Sequence, residues 1–228
     1  MSFKSFIKSI PLLGALAKNL FGGKDPSNEE FPGSATYWEN RYAEGGNSGS
    51  GSYNRLAKFK AEIINGFVDS NNIRKVIEYG CGDGNQLELA NYPSYLGIDV
   101  SETVLDQCEV RFKSDLTKDF SLSNPLTNKQ LKADLVLSLD VIFHLVEQEV
   151  FETYMNDVFL SSEKFVIVFS TNFDREHNYH ERDRKFTNWV EQNISGWDMI
   201  EHIPNRFPFD PQDPDNTSEA GFFIYRKS

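Results

Sequence analysis

Short, almost continuous apolar runs alternate with stripes of apolar residues at helical spacing through most of the chain. The runs Lys75–Tyr79, Ser94–Ile98, Asp134–Leu139 and Phe165–Phe169 predict strands buried on both faces. Between them, Leu56, Phe59, Ile63, Ile64 and Phe67 predict a helix ahead of the first strand, and Val146, Val150, Tyr154 and Val158 predict another between the third and fourth. Ser101, followed by Glu102, reads as the N-cap of a helix after the second strand. A helical segment is also expected after the glycines at 80–84, and Phe31–Tyr42 is expected to form a short aromatic-rich helix. Strands separated by helices pair in parallel through right-handed crossovers, so the fold class is α/β with a doubly wound, mostly parallel sheet. The tail departs from this rhythm. Trp197–Ile203 is followed by a Pro/Asp-rich loop at 204–215 and then by Gly221–Lys227, which is expected to pair as an antiparallel edge.

Composition narrows the picture. With 228 residues, 39% hydrophobic and 14% aromatic, the chain can bury one substantial core. A net charge of -11 argues against a general nucleic-acid binder, which needs cations to displace counterions. The charge is uneven, because residues 1–24 hold Lys4, Lys8, Lys18 and Lys24 and no acid. Three regions are expected: a basic amphipathic segment at 1–24, a lid and linker helix at 25–60, and the main domain at 61–228. Phe3, Phe6, Ile7, Ile10, Leu13, Leu16, Ala17 and Leu20 fall near one helical face interrupted by Pro11, which suits either a membrane-surface anchor or docking on the domain. A cleaved leader is weighed and set aside, since Pro11 and Gly14 break its apolar run. Cys81 and Cys108 make no disulfide framework, so a cytoplasmic location is expected, with the inner face of the membrane as an extension of the anchor reading.

The densest chemistry is at VIEYGCGDGNQL, residues 76–87, where a strand carrying Glu78 runs into Gly80, Gly82 and Gly84. Glycines there permit positive φ and close approach of a ligand to the backbone. A dinucleotide fingerprint would need glycine at position 85, where Asn85 stands. Cys81 lies between two of the glycines and is given no chemistry. Residues 44–52, rich in Gly and Ser, read as a mobile loop able to act as a lid.

The glycine pattern resembles the E-x-G-x-G-x-G motif of class I S-adenosylmethionine-dependent methyltransferases, and YLGIDVS and ADLVLSLDVIFHLVE resemble that family's later motifs. The resemblance covers about residues 35–228 and implies a sheet of about seven strands with an antiparallel C-terminal strand. It implies S-adenosylmethionine as cofactor, with Glu78 near its amino group, Asp99 on the ribose hydroxyls and Asp115 on the adenine amino group. Asp115 in an exposed loop is the alternative. Asp140 and His144, beyond the fourth-strand motif, become candidates for the acceptor side, with His144 as general base or else as a first-turn helix residue. YWENRY and the loop ending GSYNRLAKFKAE further resemble small methyltransferases of bacterial surface polysaccharide and glycan biosynthesis. On that likeness Tyr37, Arg41 and Tyr53 cover the cofactor, Arg41 near its carboxylate; a hydrophobic anchor with a solvated arginine is the other reading.

Residues 171–184, TNFDREHNYHERDR, follow the last parallel strand and should border the acceptor pocket. His180, Arg182 and Arg184 are candidate contacts to an anionic acceptor, against a self-neutralising surface segment; His177 and His180 as metal ligands are set aside, so no metal is expected. The function expected is methyl transfer to an oxygen of a small hydroxylated or anionic acceptor, a glycan or its precursor. Protein or natural-product methylation on the same fold, and a non-catalytic cofactor-binding module at a membrane, are the rivals.

Overall fold

The computed structural model describes residues 31–175 and 178–228. The basic segment 1–24, the start of the expected lid region and His177 lie outside the described residues.

A seven-stranded sheet runs in the order β3-β2-β1-β4-β5-β7-β6. Its strands are β1 Val76–Tyr79, β2 Tyr95–Asp99, β3 Lys118–Leu122, β4 Ala133–Leu139, β5 Ser162–Ser170, β6 Trp197–Ile203 and β7 Gly221–Lys227. β1 pairs in parallel with both β2 and β4, and the parallel set continues to β3 and β5. β7 runs antiparallel to β5 and to β6. The α/β class and its mostly parallel, doubly covered sheet therefore stand. Gly221–Lys227 is not the edge, however: β6 is, and β7 lies inside it, which is why Gly221–Tyr225 are all buried while most of β6 is exposed.

Helices α1 Ser34–Ala43, α2 Asn54–Ser70, α3 Glu102–Phe112, α4 Gln148–Leu160 and α5 Phe186–Asn193 cover the two faces. The strands alternate between them, apart from a register shift between Ala133 and Leu135 in β4. Val76, Leu135, Leu137, Ile167, Phe169, Phe222 and Ile224 pack with Phe59, Ile64 and Val104 on one side. Ile77, Val136, Val166, Val168, Phe223 and Tyr225 pack with Phe151, Met155, Val158 and Phe186 on the other. Ser101 caps α3 as expected, its hydroxyl accepting from the Val104 amide at 3.2 Å. A division at residue 60 falls inside α2, whose buried face runs from Leu56 through Lys60 to Val68.

Two local features differ from the sequence pattern. No α-helix follows the glycines: the link from β1 to β2 is a set of turns with one 3-10 turn at Leu87–Leu89, because Gly84 and Pro93 flank too short a segment. β3 has no counterpart among the expected strands, since KDFSL is an edge strand with no fully buried position and so shows no apolar run.

Candidate active site

A cleft opens at the carboxyl ends of β1, β2 and β4, the end at which open α/β sheets bind ligands. Its empty volume, open mouth included, is about 910 Å³.

The floor is the glycine turn. Gly80, Gly82 and Gly84 have φ of 76°, 56° and 74°. A Cβ on Gly82 would stand 2.2 Å from Ser48 Oγ, and one on Gly80 would stand 2.5 Å from Val141 Cγ2, so neither site accepts a side chain. The amides of residues 80–83 are committed to the protein. Gly80 and Cys81 donate to the Ile98 carbonyl, Gly82 to Asp99 Oδ2, and Asp83 to Ser48 Oγ. With no α-helix N-terminus behind it, this is not a pyrophosphate cradle; it presents carbon and carbonyl surface to a ligand without phosphates.

Asp99 ends β2 and lines the cleft. Its two oxygens accept from the Gly82 amide at 3.0 Å and the Ser101 amide at 3.1 Å. A carboxylate has about four acceptor sites, so two remain for a vicinal diol. Burial pushes its pKa up. Glu78, equally buried on β1, accepts from Tyr95 Oη at 2.7 Å. Desolvation raises its pKa to about 7, against the opposing effects of Tyr95 and the Lys60 charge. Gln86 also lines the cleft. Its amide nitrogen donates to the Ala57 carbonyl at 3.1 Å, while its buried Oε1 has no protein partner. An orphaned acceptor of that kind calls for a donor on a ligand.

The opposite wall carries Asp140 in a left-handed conformation, φ 58°, its amide bonded to Phe169 O at 2.9 Å. Asp140 Oδ2 accepts from Lys60 Nζ at 2.5 Å. Lys60 comes from the core face of α2 and is only 1% exposed. Removing one partner of such a buried pair typically costs about 3–5 kcal/mol. His144 stands on the 3-10 turn Ile142–His144, edge-on to Trp38 at 4.9 Å, with Nδ1 3.4 Å from the His180 carbonyl. Burial lowers its pKa to about 4, so it is neutral at pH 7.

Beyond this wall lies a wider groove. Trp38, Ser48, Asp140 and His144 line both cleft and groove, and so form the passage between them. The Gly/Ser loop closes over the passage and is pinned rather than loose. Asp83 Oδ2 accepts from the Ser48 amide at 2.9 Å and from Tyr53 Oη at 2.7 Å, and Asn85 Nδ2 donates to Ser52 O at 2.7 Å.

Several expected residues stand elsewhere. Asp115 precedes β3 at its amino end, bonded to Thr117 and Lys118 and outside the cleft, because β3 puts Ser123 at the cleft instead. Arg41 faces the groove and not the cleft; its Nε donates to Asn47 O at 2.7 Å and its guanidinium lies over Trp38. Tyr53 acts on the cleft only through Asp83. Tyr37 stacks on His180 in the groove, with centroids 4.9 Å apart. Arg182 and Arg184 point away from the groove and bind the carbonyls of Leu145 and Val146, bracing the segment that carries His144. Of the anionic-acceptor trio only His180 lines the groove. Cys81 and Cys108 are buried together, which pushes the Cys81 thiol up and leaves it inert.

His144, His180 and Glu181 bring donor atoms within 4.8 Å of one another. The two imidazoles are stacked at 9°, so their in-plane lone pairs do not converge on one ion, and the spread exceeds the roughly 3.3 Å edge of a tetrahedron with ~2.05 Å bonds.

Residues 77–171, from β1 to the end of β5, match the family model described as a methyltransferase domain. No curated protein sequence matches the chain. Among solved structures, the chain is similar to the N-methyltransferase NodS from Bradyrhizobium japonicum WM9 in complex with S-adenosyl-L-homocysteine, at 13% identity over 86% of this chain and 98% of that one, TM-score 0.64. It is also similar to magnesium protoporphyrin IX methyltransferase (ChlM) from Synechocystis PCC 6803 with bound SAM, at 14% identity over 86% and 97%, TM-score 0.60. The methyltransferase domain of bacterial CtHen1-C is 19% identical over 74% and 97%, TM-score 0.58. At these identities the likeness is one of fold. Residues 77–171 are thus similar to a methyltransferase domain, and the chain shares the fold of these solved methyltransferases.

Proposed function

We propose that the chain transfers a methyl group from S-adenosylmethionine to an oxygen of a small hydroxylated acceptor, a glycan or glycan precursor. One observation carries this reading: the diol-ready Asp99 and the glycine turn share a cleft with Asp140 and His144, which open onto a separate groove. The residues fit the cofactor. Asp99 has two acceptor sites for the ribose, Gln86 Oε1 lacks a donor, and Glu78 is an acid for the amino group. When bound, the cofactor supplies an electrophilic sulfonium methyl group.

The groove argues for an uncharged acceptor over an anionic one. Asp140, Glu181, Asp183 and Glu219 outnumber Arg41 and Arg175 along it, and Arg175 already pairs with Glu219 and Asp183. Carboxylates accept from hydroxyls, and Tyr37, Trp38, Phe143 and Phe209 add flat apolar faces of the kind a sugar ring can lie against. Asp140 orients the acceptor hydroxyl at the passage, and His144 takes its proton as the oxygen becomes positive during attack. A base with pKa about 4 is adequate for an oxygen that acidic.

Incubation with methyl-labelled cofactor and a panel of neutral sugars, uronic acids, sugar phosphates, peptides and RNA tests the reading. Label on neutral sugar oxygen supports it; label on RNA or peptide alone replaces it with the corresponding rival.

Two smaller effects follow. Asp83→Ala removes the acceptor that holds Ser48 and Tyr53, so proteolysis within residues 44–52 should speed up and cofactor KM should rise roughly fivefold, about 1 kcal/mol, with turnover less affected. Glu78 supplies a pH effect. Its folded pKa of about 7 exceeds the unfolded value, so the free protein holds an extra proton between about pH 4.5 and 7 and loses stability as pH rises through that window. A cofactor ammonium beside Glu78 favours the carboxylate, so binding near pH 7 should release a proton and tighten as pH rises. Calorimetry in buffers of different ionisation enthalpy checks this, and Glu78→Gln should abolish the release.

A further inference from the structure

Lys60 occupies a place where α2 otherwise buries Leu56, Ala57, Phe59, Ala61, Ile64 and Val68. A buried ammonium is expensive unless its donors are filled. It has three N–H donors, and Asp140 Oδ2 is the hydrogen-bond acceptor the structure gives it, with the Phe169 ring 5.3 Å away. Glu78 feels the Lys60 charge but already accepts from Tyr95. Among the described residues Lys60 is also the one lysine or arginine lining the cleft, where Glu78, Asp99 and Asp140 supply three acids. Arg41, expected to meet the cofactor carboxylate, is on the groove side.

Resting on the cofactor reading above, we infer that Lys60 is the cofactor's carboxylate anchor: its remaining donors bind the amino-acid carboxylate of S-adenosylmethionine. The ammonium then bridges two carboxylates, Asp140 at the passage and that of the ligand. This ties the occupied cofactor site to the residue that orients the acceptor. That Glu78 lines the same cleft and feels the Lys60 charge agrees, since the amino and carboxylate groups of the ligand leave the same carbon and need an acid and a base within one site. A purely structural Lys60 would serve Asp140 alone and be indifferent to the ligand's carboxylate.

The two roles separate in a double cycle measured by calorimetry, using S-adenosylhomocysteine and its decarboxylated analogue, which keeps the ammonium. Wild type should bind the complete ligand about tenfold or more tighter than the analogue, the size expected of a charge-assisted hydrogen bond. Lys60→Met should erase most of that preference, while Lys60→Arg should keep part of it. Equal affinity of wild type for the two ligands overturns the assignment, and needs no variant to fold. A preference that survives intact in Lys60→Met also overturns it. Absence of binding by either ligand to wild type removes the cofactor reading itself, and this inference with it.

Discussion

Replacing His144 by alanine should lower turnover about a hundredfold with a hydroxyl acceptor, while S-adenosylhomocysteine affinity changes less than about twofold. His144 lines the passage between cleft and groove, so it is placed to meet the reacting oxygen, whereas Glu78, Gln86, Asp99 and the glycine turn line the cleft alone. Its bracing is independent of its ring: Arg182 and Arg184 hold the carbonyls of Leu145 and Val146, and the His144 amide donates to Val141 O at 2.8 Å. The variant should therefore fold. Because burial sets the His144 pKa at about 4, turnover at saturating cofactor should be flat on its account from about pH 6 to 8 and fall only on approach to pH 4. A rate that instead drops through pH 6.5 would mean that the His144 ring is hydrated rather than buried. Initial rates across pH, for wild type and His144→Ala, provide the check.

Asp99→Ala should weaken cofactor and S-adenosylhomocysteine binding by roughly tenfold to a hundredfold, from about 1.5–3 kcal/mol of lost charge-assisted bonding to the ribose. It has a second consequence. The Gly82 and Ser101 amides lose their acceptor, so the glycine turn loosens and the melting temperature falls. Asp99→Asn separates these effects, since its side-chain oxygen can still accept one of the two amides. It should recover part of the stability while remaining weak for the ligand. Equilibrium dialysis with labelled cofactor and thermal melts of both variants measure the two quantities.

How much of the chain is legible in its sequence depends on which physical signal each element carries. Central strands such as DLVLSL and FVIVF are buried on both faces and announce themselves as apolar runs. Edge strands do not: KDFSL carries no such run, and the misplaced adenine contact follows from this, because without β3 nothing shows that Asp115 lies at the wrong end of a strand. Asp99, Asp140 and His144 are legible because each sits just past a recognisable strand, at the end where ligands bind. The arginines at 182 and 184 mislead for a general reason. A charged segment looks the same in sequence whether its guanidiniums face a groove or satisfy carbonyls behind it. Gln86 and Lys60 escape differently, since each is a polar residue within an apolar context. For Lys60 the signal is present in RLAKFKAEII, where a lysine falls on the stripe of Leu56, Ile63 and Ile64. A charge on the core face of a helix is costly to bury, so its presence in such a stripe already points to a partner across the core.

Titration of the wild-type chain with S-adenosylhomocysteine in a calorimeter, with NADH as the comparison ligand, tests the central claim most directly. The cleft predicts one site per chain for S-adenosylhomocysteine and none for NADH, because the amides of residues 80–83 are already committed to the protein and no α-helix N-terminus stands behind the turn to receive a pyrophosphate. Binding of NADH with no heat from S-adenosylhomocysteine would contradict it.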